Sequence, residues 1–215
     1  MWDHVFESAP EAHADLPLTI HVACYQRLTA LMSLLYALAT QRVQNFRVVV
    51  THDGADAEIR DAVHAFAARG YFPLTYKESQ ARHGMWGYTL RQQSLMECET
   101  PFWMSTNDDC WYAPVFTAAV AEGMSVAADL ILTDMLHSHD HPGDRVQEAY
   151  QPFVTAPACF QCDIGSFVLR TELAKAMGGF PEIHHDADGI FIDAFMRRYP
   201  TAKVHKIPQF LYVHN

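Results

Sequence analysis

The sequence predicts an α/β domain with a largely parallel sheet, and three observations carry that prediction. Short apolar or β-branched runs alternate with longer stretches of helical period along the chain. Polar clusters recur where three successive strand-like runs stop, at Tyr25-Gln26-Arg27, His52-Asp53-Gly54 and Asn107-Asp108-Asp109. Half of the 215 residues are apolar and 19% are charged, enough to bury the core of one medium domain.

Residues 1–16 read as a polar lead-in and 17–215 as the domain. Leu18 to Cys24 is the first strand. Arg27 to Gln41 is a helix, because Leu28, Leu31, Met32, Leu35, Leu38 and Ala39 recur at helical spacing. Phe46 to Thr51 is a β-branched strand that stops at the turn signal His52-Asp53-Gly54. Glu58 to Arg69 is a second helix, ended by Gly70. Leu74 to Lys77 is a strand, Gly87 to Glu97 a helix and Pro101 to Ser105 a further strand. Val115 to Ala127 is helical, Leu130 to Thr133 extended, and the polar segment His137 to Thr155 is expected as an irregular loop. Ile164 to Leu169 is a strand, and Thr171 to Met177 is a helix closed by Gly178-Gly179. Asp188 to Arg198 is a helix, and Lys203 to Ile207 and Gln209 to His214 are short closing strands.

Composition excludes several classes. The formal net charge of −10 argues against a nucleic-acid binder, which carries a basic footprint. It leaves room for an anionic nucleotide, because a bound cation changes the sign of the local field. No apolar run is long enough to span a membrane, and the N-terminus has no basic and apolar leader, so a cytoplasmic protein is expected. Little follows the last strand, so neither an acceptor lid nor a membrane-anchoring segment is expected. Five cysteines do not form a secreted disulfide framework.

In an open α/β sheet, ligands gather outside the carboxyl ends of the strands. The three polar clusters therefore imply one crevice. Acid and amide groups at the end of the run Pro101 to Ser105 suit a hard divalent cation, Mn²⁺ or Mg²⁺, and the phosphates it neutralises. Without a ligand, the same residues make an ordinary polar turn.

From about residue 17 to 215 the chain resembles the family 2 glycosyltransferases with the GT-A fold, a Rossmann-like single domain. Ala23 to Arg27 resembles that family's nucleotide-facing turn, and Val48 to Gly54 its second strand with an Asp-Asp-Gly turn in which His52 replaces the first acid. Arg82-His83-Gly84 and Gly87 to Arg91 resemble the glycine-containing segment and the arginine-bearing helix before the metal motif. Asn107-Asp108-Asp109, anchored by Pro114, falls on the Asp-x-Asp motif, with Asn107 replacing the first acid. Cys162 to Arg170 resembles the strand before the family's Gly-Gly-Phe segment, here Gly178-Gly179-Phe180. An acidic pair then falls on Ala187 and Asp188, with Ala187 replacing the first member.

The resemblance implies a nucleotide-binding half at about 17–114 and an acceptor half at about 115–215. It implies transfer of a sugar from a nucleotide-sugar donor to a glycan or other hydroxyl acceptor, assisted by a divalent cation. Tyr25, Arg27, Asp53, Arg91, Asn107 and Asp108 would hold the nucleotide, and Asp109, Asp108 and His214 the metal. Asp188 would be the general base of an inverting reaction.

Three rivals remain. A nucleotidyltransferase on a similar sheet needs a lysine-rich phosphate turn, where residues 23–27 offer only Arg27. A non-catalytic sugar- or nucleotide-binding module accommodates the changes at Asn107 and Ala187. Cys159-x-x-Cys162 beside His137-Ser138-His139-Asp140-His141 has zinc spacing for one ligand pair, with no second pair at finger spacing.

Overall fold

The computed structural model describes residues 2–8, 16–137, 139–141, 144–145, 150–181 and 183–215, with backbone alone at 4, 5, 139–141, 144 and 145. In chain order the elements are β1 (Trp2–Glu7), β2 (Leu18–Cys24), α1 (Leu28–Ala39), β3 (Phe46–His52), α2 (Ala57–Ala67), β4 (Leu74–Ser79), α3 (Tyr88–Glu97), β5 (Phe102–Asn107), β6 (Trp111–Tyr112) and α4 (Phe116–Ser125). There follow β7 (Leu130–His137), β8 (His139–His141), β9 (Asp144–Arg145), β10 (Gln151–Phe153), β11 (Phe167–Arg170), α5 (Thr171–Ala176), α6 (Ala187–Arg198) and β12 (Val204–His214).

Ten strands form one sheet in the order β1-β4-β3-β2-β5-β11-β7-β12-β6, with β10 paired to the far end of β7. β2, β3, β4 and β5 are mutually parallel, and β12 runs parallel to β7. β11 is antiparallel to both its neighbours and turns the sheet from one half to the other. β2 is buried along its whole length, so its polar Thr19 and His21 are enclosed along with its apolar residues. Its buried His21 is satisfied on both ring nitrogens, at 2.8 Å from Ser105 of β5 and 2.8 Å from Thr51 of β3.

Helices cover both faces. On β5, Phe102 and Met104 join one apolar cluster with α1, α2 and α4, through Leu34, Leu38, Val63, Phe66 and Val120. Trp103 between them joins the other with α3, α5 and α6, through Leu95, Ala174, Phe191 and Phe195. The period-2 alternation of a strand therefore feeds two cores. The chain winds outward from β2 through β3 to β4, then returns to place β5 on the other side of β2. The crevice beyond β2 and β5 is the topological switch point, where such sheets bind ligands.

The differences from expectation have local causes. Trp2–Glu7 is an edge strand, antiparallel to β4, and not a polar lead-in. Its few apolar residues hide it, although Phe6 packs on the core and the Trp2 indole donates to Glu97 at 2.9 Å. The closing strands are one strand, with register shifts that let β12 pass Pro208, a residue with no ladder donor. The segment expected as irregular contains β8, β9 and β10, and β7 extends to His137. Ile164 to Ser166 is a short 3-10 turn rather than the start of β11, capped by Asp163, whose side chain accepts from Gly165 N–H at 2.9 Å.

Candidate functional site

A cleft of about 1100 Å³ opens at the carboxyl ends of β2, β3 and β5 and is closed on its far side by the turn before β11 and the start of α6. Tyr25, Arg27, Asp53, Arg91, Asn107, Asp108, Asp109, Asp188 and His214 all line it.

Each of the three strand-end clusters is cross-braced. Asp108, buried, accepts from the Tyr25 N–H at 3.1 Å and so ties β5 to the turn after β2. Burial lifts its carboxyl above the ordinary range, and Asp109 beside it adds to the lift. The Arg27 guanidinium pairs with the Asp109 carboxylate and lies 3.5 Å from Asp108. The Arg27 side chain is 47% exposed, so its contact with the acids is at the rim of the cleft. Asp53 uses both oxygens on the loop that follows β4, accepting from His83 N–H at 2.7 Å and Gly84 N–H at 2.8 Å. His52 explains its own presence where the motif has an acid. Nδ1 lies 2.8 Å from the Gly54 carbonyl, so it carries the proton, and Nε2 accepts from the Gln26 N–H at 3.2 Å. The Arg82 guanidinium stands 4.1 Å from the Tyr25 ring centre, a cation–π contact at the same end of the cleft.

Arg91 is the outstanding charge. It is 1% exposed, on α3, and donates one Nη2 bond to the Asn107 side-chain oxygen. Its Nε and Nη1 are buried without a hydrogen-bond partner among the described residues. Each buried orphan donor costs about 1–3 kcal/mol, more when charged, so native structures rarely leave two on one side chain. Gly87 makes the room, since a Cβ there would lie 2.9 Å from Ala23 and 3.2 Å from Arg91 Nη1. An acid at position 107 would have cancelled the guanidinium charge. The amide of Asn107 orients it and leaves the charge intact.

On the opposite wall, Asp188 stands in the first turn of α6. It accepts from Ile164 N–H at 3.1 Å and Gly189 N–H at 2.7 Å. Burial, reinforced by the nearby Asp163 charge, raises its carboxyl from 3.8 to about 7. Asp163 is the site residue that sequence reasoning passed over. It lies 3.6 Å from His214 Nε2 and receives the Tyr212 hydroxyl at 2.5 Å. Despite its burial it stays below the usual carboxylate value, because His214 and these hydrogen bonds favour its charge. Its sequence signal was the capping pattern Asp163-x-x-Ser166. Ala187 is buried in the core, which accounts for the missing acid there.

Asp109 and His214 approach from β5 and β12, and the Asn215 amide donates to the Asp109 carbonyl at 2.5 Å. Carboxylate oxygens suit Mn²⁺ or Mg²⁺, and an imidazole is acceptable to Mn²⁺. Among the described residues no three His, Cys, Asp or Glu side chains converge as a metal cluster, so substrate oxygens would have to complete a coordination shell. Cys159 and Cys162 are free thiols on the cleft wall, and the side chains of His139 and His141 lie outside the described residues.

No family model matches the sequence, and no curated protein does either. Solved structures do match. The crystal structure of Staphylococcus aureus TarS 1–349 superposes with a TM-score of 0.71 at 20% identity, over 92% of this chain and 60% of that one. The fold is GT-A-like. The same TarS fragment in complex with UDP-GlcNAc gives a TM-score of 0.67 at 19% identity, over 92% of this chain and 58% of its own. The mannosyltransferase PcManGT from Pyrobaculum calidifontis, in complex with GDP-Man and Mn²⁺, gives 0.67 at 18% identity over 100% of this chain and 60% of that one. The chain thus spans about three fifths of the TarS fragment and of PcManGT. Among the described residues no helix is long and apolar enough to cross a membrane.

Proposed function

We propose that this chain transfers a sugar from a nucleotide-sugar donor to a hydroxyl acceptor. Arg91 carries the reading: a buried guanidinium with two donors that no described residue accepts from, at the switch point of an α/β sheet, is built to receive an anion. The solved glycosyltransferases that share the fold, bound to UDP-GlcNAc or GDP-Man, favour a nucleotide diphosphate as that anion.

In this reading Arg91 and Arg27 hold the diphosphate, and Tyr25 with Arg82 faces the base. Asp53 acts through the loop it fastens. Asp109, Asp108 and His214 would hold a divalent cation, which supplies positive charge against the departing diphosphate. Asp188 takes the proton of the acceptor hydroxyl as its oxygen bonds to the anomeric carbon. The bond from that carbon to the diphosphate oxygen breaks on the opposite face, with inversion. A carboxyl that titrates at about 7 suits this task, since a general base works best near the operating pH.

The test is calorimetric titration of UDP and GDP, with Mn²⁺, into the wild type and Arg91→Met. A charged hydrogen-bond donor contributes about 1.5–3 kcal/mol, so Arg91→Met weakens binding about 10- to 100-fold. Equal affinity in the two proteins, or no binding to the wild type, refutes the reading.

A further inference from the structure

Two aromatic side chains of the cleft are held in a conformation that does not suit them. Trp86 (φ 50°) and Phe160 (φ 60°) both lie in the left-handed region, which bulky residues avoid. Both are also exposed, at 62% and 61%, and neither belongs to an apolar core cluster. Strain and exposure together do nothing for the fold. Both side chains line the cleft that holds Asp188.

Each strained turn is fastened to a different half of the site. The Trp86 turn closes with a Gly87 N–H bond to the Gly84 carbonyl at 3.0 Å, and Asp53 grips Gly84 N–H at 2.8 Å. The Phe160 turn closes with an Ala156 N–H bond to the Gln161 carbonyl at 2.8 Å. Asp193 of α6 accepts from the Cys159 N–H at 2.9 Å. Cys159 also packs against Gly189 of α6, where a Cβ would lie 2.8 Å from its Sγ. One aromatic is therefore set by the nucleotide side and the other by the helix that carries Asp188. The Trp86 ring meets His185 edge-on at 5.3 Å, which places it at the Asp188 end of the cleft.

The same wall carries His185, Asp163, Asp186 and Asp188. Exposed ring faces bordered by hydrogen-bonding groups match a ligand with an apolar C–H face and a polar rim. A pyranose has that form, since its axial C–H bonds project from the ring faces and its equatorial hydroxyls lie at the edge. An acyl chain would cover the carboxylates and the imidazole without giving them partners.

We propose that Trp86 and Phe160 form the acceptor subsite, and that the acceptor presents a pyranose ring there with one hydroxyl directed at Asp188. The inference rests on the nucleotide-sugar reading above.

The experiment uses Trp86→Gly and Phe160→Gly, because glycine adopts a positive φ without strain. Methyl glycosides of glucose, galactose, mannose and N-acetylglucosamine are titrated by saturation-transfer NMR in the presence of UDP or GDP and Mn²⁺, with octanol as the apolar control. Expected is binding of at least one glycoside by the wild type, weakened about tenfold or more by either variant. Nucleoside diphosphate affinity and melting temperature should be retained in both variants. Glycoside binding that both variants keep, octanol binding without any glycoside, or a melting loss in both variants overturns the inference and leaves the donor reading standing. Failure of both nucleoside diphosphates to bind the wild type overturns the donor reading and the inference with it.

Discussion

Asp188→Asn should leave the protein's stability nearly unchanged in acid and raise it in alkali, and that pH dependence needs no substrate to observe. Asp188 titrates at about 7 in the fold against 3.8 for an ordinary carboxyl. The native state therefore keeps its proton longer than the unfolded chain does. Below the unfolded value the group costs nothing. As pH rises towards 7 the unfolded chain ionises first and the fold loses stability; above 7 the loss is complete. Three units at about 1.4 kcal/mol each set a ceiling of about 4 kcal/mol. The carboxylate is only partly shielded from water, so about 1–3 kcal/mol is expected. In acid the protonated carboxyl and the amide each offer the N–H groups of Ile164 and Gly189 one full acceptor oxygen, so the substitution changes little there. The variant should then melt close to wild type at about pH 4 and above it at about pH 8.5, at about 2–4 °C per kcal/mol. Differential scanning calorimetry across that range decides. A melting difference that does not change with pH would show that Asp188 is an ordinary cap and would refute the reasoning. The same substitution should cut transfer about 10²–10⁴-fold, with wild-type activity falling as pH drops below about 7.

Asn107→Asp should pair with Arg91, cancel its charge and weaken UDP or GDP binding about tenfold or more, as read by calorimetry; unchanged affinity would show that Arg91 does not meet phosphate. Arg27→Ala should free Asp109 and strengthen Mn²⁺ binding to the nucleotide-free protein several-fold, as measured by electron paramagnetic resonance, because a cation at Asp109 competes with the guanidinium. Asp53→Ala should lower stability in urea by about 2–4 kcal/mol, since two N–H groups lose their acceptor. A loss below about 0.5 kcal/mol would mean the loop holds itself.

Alternation of β and α elements was legible because short runs rich in Ile and Val, such as β2 and β3, separate stretches of helical period. The cleft was legible for a related reason, since polar residues at the end of a buried strand need something to face. Direction was not legible. Phe167 to Arg170 reads the same either way along the sheet, and only its place between β5 and β7 makes it antiparallel. Nor was partnership. Nothing in the spacing says that Arg91 would meet Asn107, that Arg27 would reach Asp109, or that Asp163 would stand against Tyr212 and His214. Those contacts join residues far apart in sequence, and the fold alone supplies them.

The acids that brace the strand ends have a further consequence for how such a chain can change over generations. Asp53 and Asp108 hold the backbone N–H groups of His83, Gly84 and Tyr25, whatever the cleft contains. A descendant that gave up its chemistry would still be selected to keep them, because losing them loosens the sheet. Asp109, Asp188 and Arg91 would be released first, as Asp188 and Arg91 are held at a cost to the fold. Drift at those three, with Asp53 and Asp108 retained, would mark a copy that has kept the shape and abandoned the reaction.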